Sequence, residues 1–514
     1  MSDGDGSAVW AGPSTCRLLY CADLLLSKNT TIMNYSTTIR TVFVALTAVG
    51  LLGLTACDQT IDKTPEQSQP INQSFTDSSA AASALTGAYD GLQQNGVYGG
   101  FPVMAADFTA DVATFSGSFT TWNQAASFNI TSTHGPTENI WADHYDVINR
   151  ANLIIENTPN VEGITQSGID NIVGQAKFIR ALSYFKLVRW FGEPYEPGAS
   201  NDQPGVILQT DGVQSTDPDF NQPRASVEEI YTQIRSDLED AVSRLDVRGA
   251  RIRAGQSVAN ALLAKVSLYQ GNWEEAANRA TSVIEKRPFT LSEDPTQPYS
   301  IESSSEIIFS TSFSAIDNTG TNDFPSSFYL PGDLGGRGDL NPFGNFVDNA
   351  ESGDVRVAVS QVTGQEVNGN TLLYQYNQDL WTNKFTQSAL GDDVPVLRVA
   401  EMYLIRAEAE ARSSSGSESQ ARQDVNAIRN RAGLGDVSSS LSGQDLIDEI
   451  IRQRRYELAF EGDRRHDLQR LGRSITSGSG ATVQTGDPQR ILPIPARAIE
   501  VNDALDQGSQ NPGY

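Results

Sequence analysis

Apolar residues recur every three or four positions in several stretches of the chain, the spacing of one face of an α-helix. Between 226 and 245 the recurring set is Val227, Ile230, Ile234, Leu238, Ala241, Val242 and Leu245. Ser226 and Glu229 stand ahead of it in the S-x-x-E relation of a capping box, where each side chain satisfies a free amide of the first turn. A second helix is predicted over 170–191, with Phe178, Ala181, Leu182, Phe185 and Val188 on one side and Gly192 and Pro194 to stop it. Two helix pairs follow, at 257–270 with 273–286 and at 396–412 with 418–431.

The first pair has the spacing of a tetratricopeptide repeat. Ala264 takes the small slot, Ala276 follows twelve residues later, Ala280 comes four after that and Pro288 closes the unit. Ala409 and Ala421 repeat the twelve-residue interval in the second pair. Small residues there let two antiparallel helices approach closely. Residues 289–394 differ: they are rich in Gly, Pro, Asn, Ser and aromatics, with little helical period. Ile307-Ile308-Phe309 and Tyr374-x-Tyr376 read as short strands, and 94–135 has the same loop-like character. The expected fold class is therefore mostly α. It is a tetratricopeptide-like helical-repeat scaffold, an α-α superhelix, with a large irregular loop-rich part carrying a few short strands, where binding is expected.

The beginning of the chain breaks the pattern. Residues 42–56 form one uncharged, mostly apolar run, too short for a membrane-spanning helix but suited to the core of a signal peptide. Arg40 precedes it and Leu54-Thr55-Ala56-Cys57 ends it, an order that resembles a bacterial lipobox. The competing reading is an ordinary secretory signal with an incidental cysteine. Acylation at Cys57, with palmitate among the chains, is the expectation, because Cys57 is otherwise a lone thiol in an exported chain. Residues 1–32 delay the apolar run too long for a signal, so Met33 is the better start and 1–32 are expected to be a mis-assigned extension. The resulting division is signal peptide 33–56, lipidated tether 57–73 and one domain over 74–514.

Charge and composition narrow the chemistry. The chain has 514 residues and a formal net charge of −26, from 63 Asp and Glu against 37 Lys and Arg. That field repels phosphate backbones, so no nucleic-acid partner is expected. All three cysteines lie in the first 57 residues, and His134, His144 and His466 show no zinc-binding spacing. No metal or cofactor is expected, and a structural calcium has no support in the sequence.

The most specific signals lie near the end. Arg452-Gln453-Arg454-Arg455-Tyr456-Glu457-Leu458-Ala459-Phe460-Glu461-Gly462 runs into Asp463-Arg464-Arg465-His466-Asp467-Leu468. Leu492-Pro493-Ile494-Pro495 and Gln510-Asn511-Pro512-Gly513-Tyr514 follow. With Leu397-Arg398-x-Ala400-Glu401, Asn426-x-Ile428-Arg429-x-Arg431 and Arg180-Ala181-x-x-Tyr184-Phe185, this ordered set resembles the SusD/RagB family of nutrient-binding outer-membrane lipoproteins. One departure is His466, where an aromatic residue is expected. On the residues alone, 452–465 reads as internal ion pairs, with Arg454, Arg464 and Arg465 near Glu457 and Glu461, and not as a catalytic cluster. Leu492–Pro495 is expected to be extended and to staple the tail to the helical body.

The resemblance implies a cell-surface, lipid-anchored, non-catalytic protein. It would sit as a lid on a SusC-like TonB-dependent transporter and hand over oligosaccharides or peptides uncleaved. It also implies an N-terminal part over 74–250, helix pairs within 140–290 and 396–431, a loop-rich insertion over 289–394 and a C-terminal part over 300–514. A sugar site needs an exposed aromatic platform beside Asp, Asn or Arg. The candidates are Asp107, Asp111, Trp122 and Asn123, with Phe328, Tyr329, Arg337, Asp339 and Trp381 in the insertion. The platform reading holds that Trp122 is dispensable to the fold. Two competing functions are a glycoside hydrolase, which needs two carboxylates about 5 to 9.5 Å apart, and a helical-repeat adaptor that binds only proteins.

Overall fold

The computed structural model describes residues 75–214, 221–247, 251–285, 289–300, 304–363, 366–367 and 371–514. The signal segment, Cys57 and the tether fall outside the described residues. The helices used below are α1 (Ser78–Asp90), α2 (Phe101–Phe108), α3 (Thr120–Ala126), α4 (Gly135–Asn157), α5 (Gln166–Phe191), α6 (Val227–Arg244), α7 (Gln256–Gln270) and α8 (Trp273–Ile284). They continue with α9 (Pro325–Tyr329), α10 (Val399–Arg412), α11 (Glu418–Arg431), α12 (Gly443–Glu457) and α13 (Arg464–Arg470).

The scaffold follows the apolar period. At α6 both halves of the capping box form: Glu229 N–H donates to Ser226 Oγ at 3.2 Å, and Ser226 N–H donates to Glu229 Oε2 at 2.8 Å. The stripe Val227, Ile230, Ile234, Leu238 and Ala241 is buried. Helix α5 ends at Gly192, whose N–H closes on Val188. Helix α7 ends at Gly271, which takes the left-handed conformation at φ 71° that favours glycine as a helix stop. From α4 to α8 each helix packs on the next, and α8 then packs on α10 and α10 on α11. Ala264, Ala276, Ala280, Ala409 and Ala421 are all fully buried, so the small slots do bring these helices together.

The rest is a patchwork of small sheets. Strand β1 (Ala113–Phe115) pairs antiparallel with β5 (Leu340–Pro342), and β2 (Pro204–Ile207) pairs with β3 (Arg224–Ser226). Strand β4 (Ile307–Thr311) pairs antiparallel with β10 (Val394–Arg398), from Val394 opposite Thr311. A four-stranded sheet has the order β7 (Glu366–Val367), β6 (Val359–Thr363), β8 (Leu373–Tyr376), β9 (Asp379–Thr382). Two expectations are corrected. Residues 94–135 contain α2 and α3, and every residue of α2 is buried. A helix buried on all sides has no polar face, so it shows no period. The predicted helix 396–412 begins only at Val399, because 394–398 is taken up by pairing with β4.

Buried charges tie the two parts together. Arg398, where β10 meets α10, donates to Glu306 at 2.6 Å, to Glu457 at 3.1 Å and to both oxygens of Glu461 at 2.8 and 2.9 Å. Arg431 from the end of α11 pairs with the same Glu306 and Glu457, and Lys384 pairs with Glu461. A second group links Lys265 of α7 to Asp463 at 2.7 Å and Glu401 at 2.9 Å. Arg454 bridges Glu401 and Asp467, and Arg470 holds Glu408. The motif 452–467 is thus an ion-pair network, but its pairings differ from those expected of sequence neighbours. Glu457 and Glu461 reach Arg398, Arg431 and Lys384, while Arg464 leaves for Asp111 and Arg465 donates to the carbonyls of Gln489 and Arg490. The extended Leu492–Pro495 segment lies where expected. Leu492 N–H donates to Trp190 O, and Asn511 holds Phe191 O and Leu492 O. His466 is buried with its ring edge-on to Trp190 at 4.7 Å.

The network sets the acid stability. Burial alone would raise Glu457, but Arg431, Arg398 and Arg356 outweigh it and hold its carboxyl at about 2 against an ordinary 4.5. Asp467 is likewise pushed up by burial and pulled further down, to about 2, by Arg454 and Arg470. Both folded-state values lie below the unfolded ones, so this stability is fully present above about pH 4.5 and lost as pH falls toward 2. We predict that the free energy of unfolding, measured by urea titration at a series of pH values, falls steadily from pH 4 to pH 2. A value constant across that window would contradict the network.

Candidate functional site

The pairing of β1 with β5 brings the two sequence-distant groups of candidates together, since Phe115 lies opposite Leu340. Trp122 sits at the centre of what results. Its ring stacks on Phe328 at 4.2 Å with 4° between planes, and Phe101, Phe108 and Phe115 lie at 5.3, 5.4 and 5.1 Å. It is only 4% exposed. The expected exposed platform is therefore corrected: Trp122 is a core residue. The reason is visible in α3, whose buried residues Trp122, Ala125 and Ala126 follow the i, i+3, i+4 spacing of an inward stripe.

Asp107 and Tyr329 are also interior. Asp107 Oδ2 accepts from Gly462 N–H at 3.1 Å and from Tyr329 Oη at 3.4 Å. Burial pushes its carboxyl well above the ordinary range, more than the Gly462 amide lowers it. Asp107 thereby joins α2 to α9 and to the 458–463 segment. Gly462 is needed there, because its φ is +77° and a Cβ would lie 2.9 Å from Val103 O. Tyr329 stacks on Phe385 at 5.5 Å. Asp111 is spent on Arg464 at 2.6 Å and Arg455 at 3.0 Å. Burial raises its pKa, but the two arginines outweigh that and lower it. Trp381 is 6% exposed and donates from Nε1 to Tyr376 O at 3.3 Å. Its ring abuts Gly338, where a Cβ would come within 2.9 Å. None of these four side chains is free to meet a ligand.

What reaches solvent is the outer edge of the aromatic cluster. Phe119 is half-buried against Trp122 and Phe328, each at 6.2 Å. The Arg337 guanidinium lies 4.4 Å from the Phe119 ring centroid and 5.5 Å from that of Phe328, within cation–π range. Arg337 is fixed by Asp339 Oδ2 at 2.8 Å and Asn322 Oδ1 at 2.9 Å. Exposed Asn123 spends its amide N–H groups on Gly117 O and Phe119 O, both at 3.2 Å, and its oxygen accepts no hydrogen bond among the described residues. So Asn123, Arg337 and Asp339 of the expected set share one surface. Phe119 and Asn322 join them, and the sequence reading missed both. Phe119 stands three residues before Trp122, which was the available signal.

This surface has polar groups fixed around a half-buried ring. It pairs an apolar ring edge with a fixed guanidinium, a carboxylate and amides, donors and acceptors of the kind hydroxyl groups match. The raised carboxylic acid nearby, Asp107, is 0% exposed and cannot protonate a leaving group on this face. Among the described residues no cluster of three metal-ligating side chains is present. Because Trp122 is core, Trp122→Ala is predicted to cost about 3–5 kcal/mol of stability. Asn123→Ala, which removes two exposed hydrogen bonds, should cost no more than about 1.5 kcal/mol. Chemical denaturation of the two variants checks the pair.

The fold and this surface can be set beside known proteins. A family model described as SusD family matches residues 341–514, and one described as starch-binding, associating with outer membrane, matches residues 61–268. SusD-like protein P2 of Formosa agariphila is 26% identical over 515 residues, covering 90% of this chain and 98% of its own length. A SusD superfamily protein of Bacteroides fragilis superposes with a TM-score of 0.71 at 25% identity, over 84% of this chain and all of that one. A laminarin-binding SusD-like protein superposes with a TM-score of 0.68 at 23% identity, over 86% of this chain and all of that one, which shows the fold. The two family models between them span most of the chain and the relatives match nearly end to end, so this chain belongs to the SusD family, whose members are not enzymes.

Proposed function

We propose that the protein captures neutral oligosaccharides at the cell surface and passes them uncleaved to a SusC-like TonB-dependent transporter. Cys57 anchors it in the outer membrane by its lipid. The observation that carries the reading is the Phe119 edge beneath a guanidinium that Asp339 and Asn322 hold still. The C–H groups of a sugar pack by apolar contact against the half-buried Phe119 ring that Arg337 flanks, while its hydroxyls meet the guanidinium, the Asp339 carboxylate and the Asn123 amide. The side chains that bind are already in place, so little ordering entropy is lost on binding.

Two likenesses support the ligand class. One matching family model is described as starch-binding and associating with outer membrane, and one structural relative is a laminarin-binding protein. Starch and laminarin are both neutral glucose polymers. A net charge of −26 opposes strongly anionic glycans.

Isothermal titration of residues 58–514 against maltohexaose, laminarihexaose and short peptides tests the proposal, with chromatography of the recovered ligand. Saturable binding to a glucan, with the sugar recovered intact, is the expected result. Phe119→Leu, which keeps apolar packing on the cluster, and Arg337→Gln should each weaken it by about tenfold or more, with an unfolding midpoint that stays well above the titration temperature. Binding of peptides alone, or release of shortened sugars, would overturn the proposal.

A further inference from the structure

The helical scaffold carries a separate concavity, distinct from the aromatic face. A groove of about 920 Å³ runs along α8, with α7 and the end of α6 as its other wall. At 1.5 Å per residue the twelve residues of α8 span about 18 Å, long enough for an extended oligomer.

Its chemistry divides into a fixed floor and an open rim. On the floor, Arg279 donates to Asn260 Oδ1 at 3.0 Å and to Glu275 at 3.2 Å, and Arg235 donates to Glu275 at 2.6 Å. Both cations are thus engaged by a carboxylate, and the groove holds no spare positive charge for an anion. On the rim, Asn272, Glu274 and Asn278 are exposed, and their side chains have no hydrogen-bond partner among the described residues. Half-buried Trp273 lines the same groove; the Arg412 guanidinium lies 5.5 Å from its ring centroid, and its indole N–H is unpartnered among the described residues. One indole, free amides that each donate and accept, and an unpaired carboxylate together fit hydroxyl groups. They do not fit phosphate, sulfate or an apolar peptide face.

We infer that this groove is a second carbohydrate site, which takes a neutral oligosaccharide lengthwise along α8 with one sugar ring against Trp273. The ligand class rests on the capture reading above, but the site does not share a residue with the Phe119 face. A polymer long enough to touch both would be held at two points, and its apparent affinity would exceed that of either alone.

Hydrogen–deuterium exchange of the mature chain, saturated in turn with maltohexaose and laminarihexaose, separates the two sites. The expected result is slowed exchange in 272–282 as well as in 116–123 and 321–339, with a titration stoichiometry of two. An Asn272→Ala/Asn278→Ala double variant should lose protection in 272–282 and one equivalent of ligand, while the Phe119 face stays protected. These rim positions are exposed and unbonded, so folding should be unaffected, which its unfolding midpoint checks. Protection confined to 116–123 and 321–339, with a stoichiometry of one, would overturn the second site and leave the first standing. No protection anywhere would overturn both.

Discussion

The fold depends on a guanidinium buried where β10 becomes α10. Arg398 is 1% exposed and meets at once Glu306, from the loop-rich part, and Glu457 and Glu461, four residues apart at and just past the end of α12. Burying one charge is costly, and an ion pair barely offsets the loss of water. What makes the arrangement tenable is that each group is multiply satisfied: Arg398 also donates to the Glu457 carbonyl, and Arg431 and Lys384 complete the balance. The pairs cannot be exchanged one by one for apolar residues. Glu306 and Lys384 belong to the loop-rich part, Arg431 ends a scaffold helix, and Glu457 ends another.

That lock has a consequence for the binding face. The loop-rich part contains few long elements and cannot define its own shape from backbone pairing alone. Two interior contacts fix it against the scaffold: the ion network on one side, and on the other the buried Asp107 that joins Tyr329 to Gly462. Between them lies the aromatic cluster around Trp122 and Phe328. Phe119 and Arg337 are the outermost layer of that cluster, so their position is set by the core beneath them.

The scaffold was legible because amphipathic helices advertise themselves. The stripe from Val227 to Ala241, the Ser226–Glu229 box and the small slots at Ala264, Ala276, Ala409 and Ala421 needed only local spacing, and all appear as expected. Helix α2 was not legible, since a wholly buried helix has no polar side to contrast. Of the candidate side chains, exposure was legible for some and not for others. Asn123, Arg337 and Asp339 fall on the surface, whereas Asp107, Trp122, Tyr329 and Trp381 proved interior. An aromatic in a Gly- and Ser-rich stretch does not reveal whether it faces water, because the covering residue, here Phe328, comes from more than two hundred positions away. The same non-locality hid the true partners of Glu457 and Glu461.

The measurement that tests the central claim most directly is a double-mutant cycle on Arg398 and Glu457, read by urea unfolding. Arg398→Met leaves three buried carboxylates short of a partner, so it should cost about 3–5 kcal/mol. The double variant Arg398→Met/Glu457→Gln should cost less than the sum of the two single changes by at least about 1 kcal/mol. A loss below about 1 kcal/mol for Arg398→Met, or strictly additive effects, would contradict the view that this buried charge holds the two parts of the molecule together.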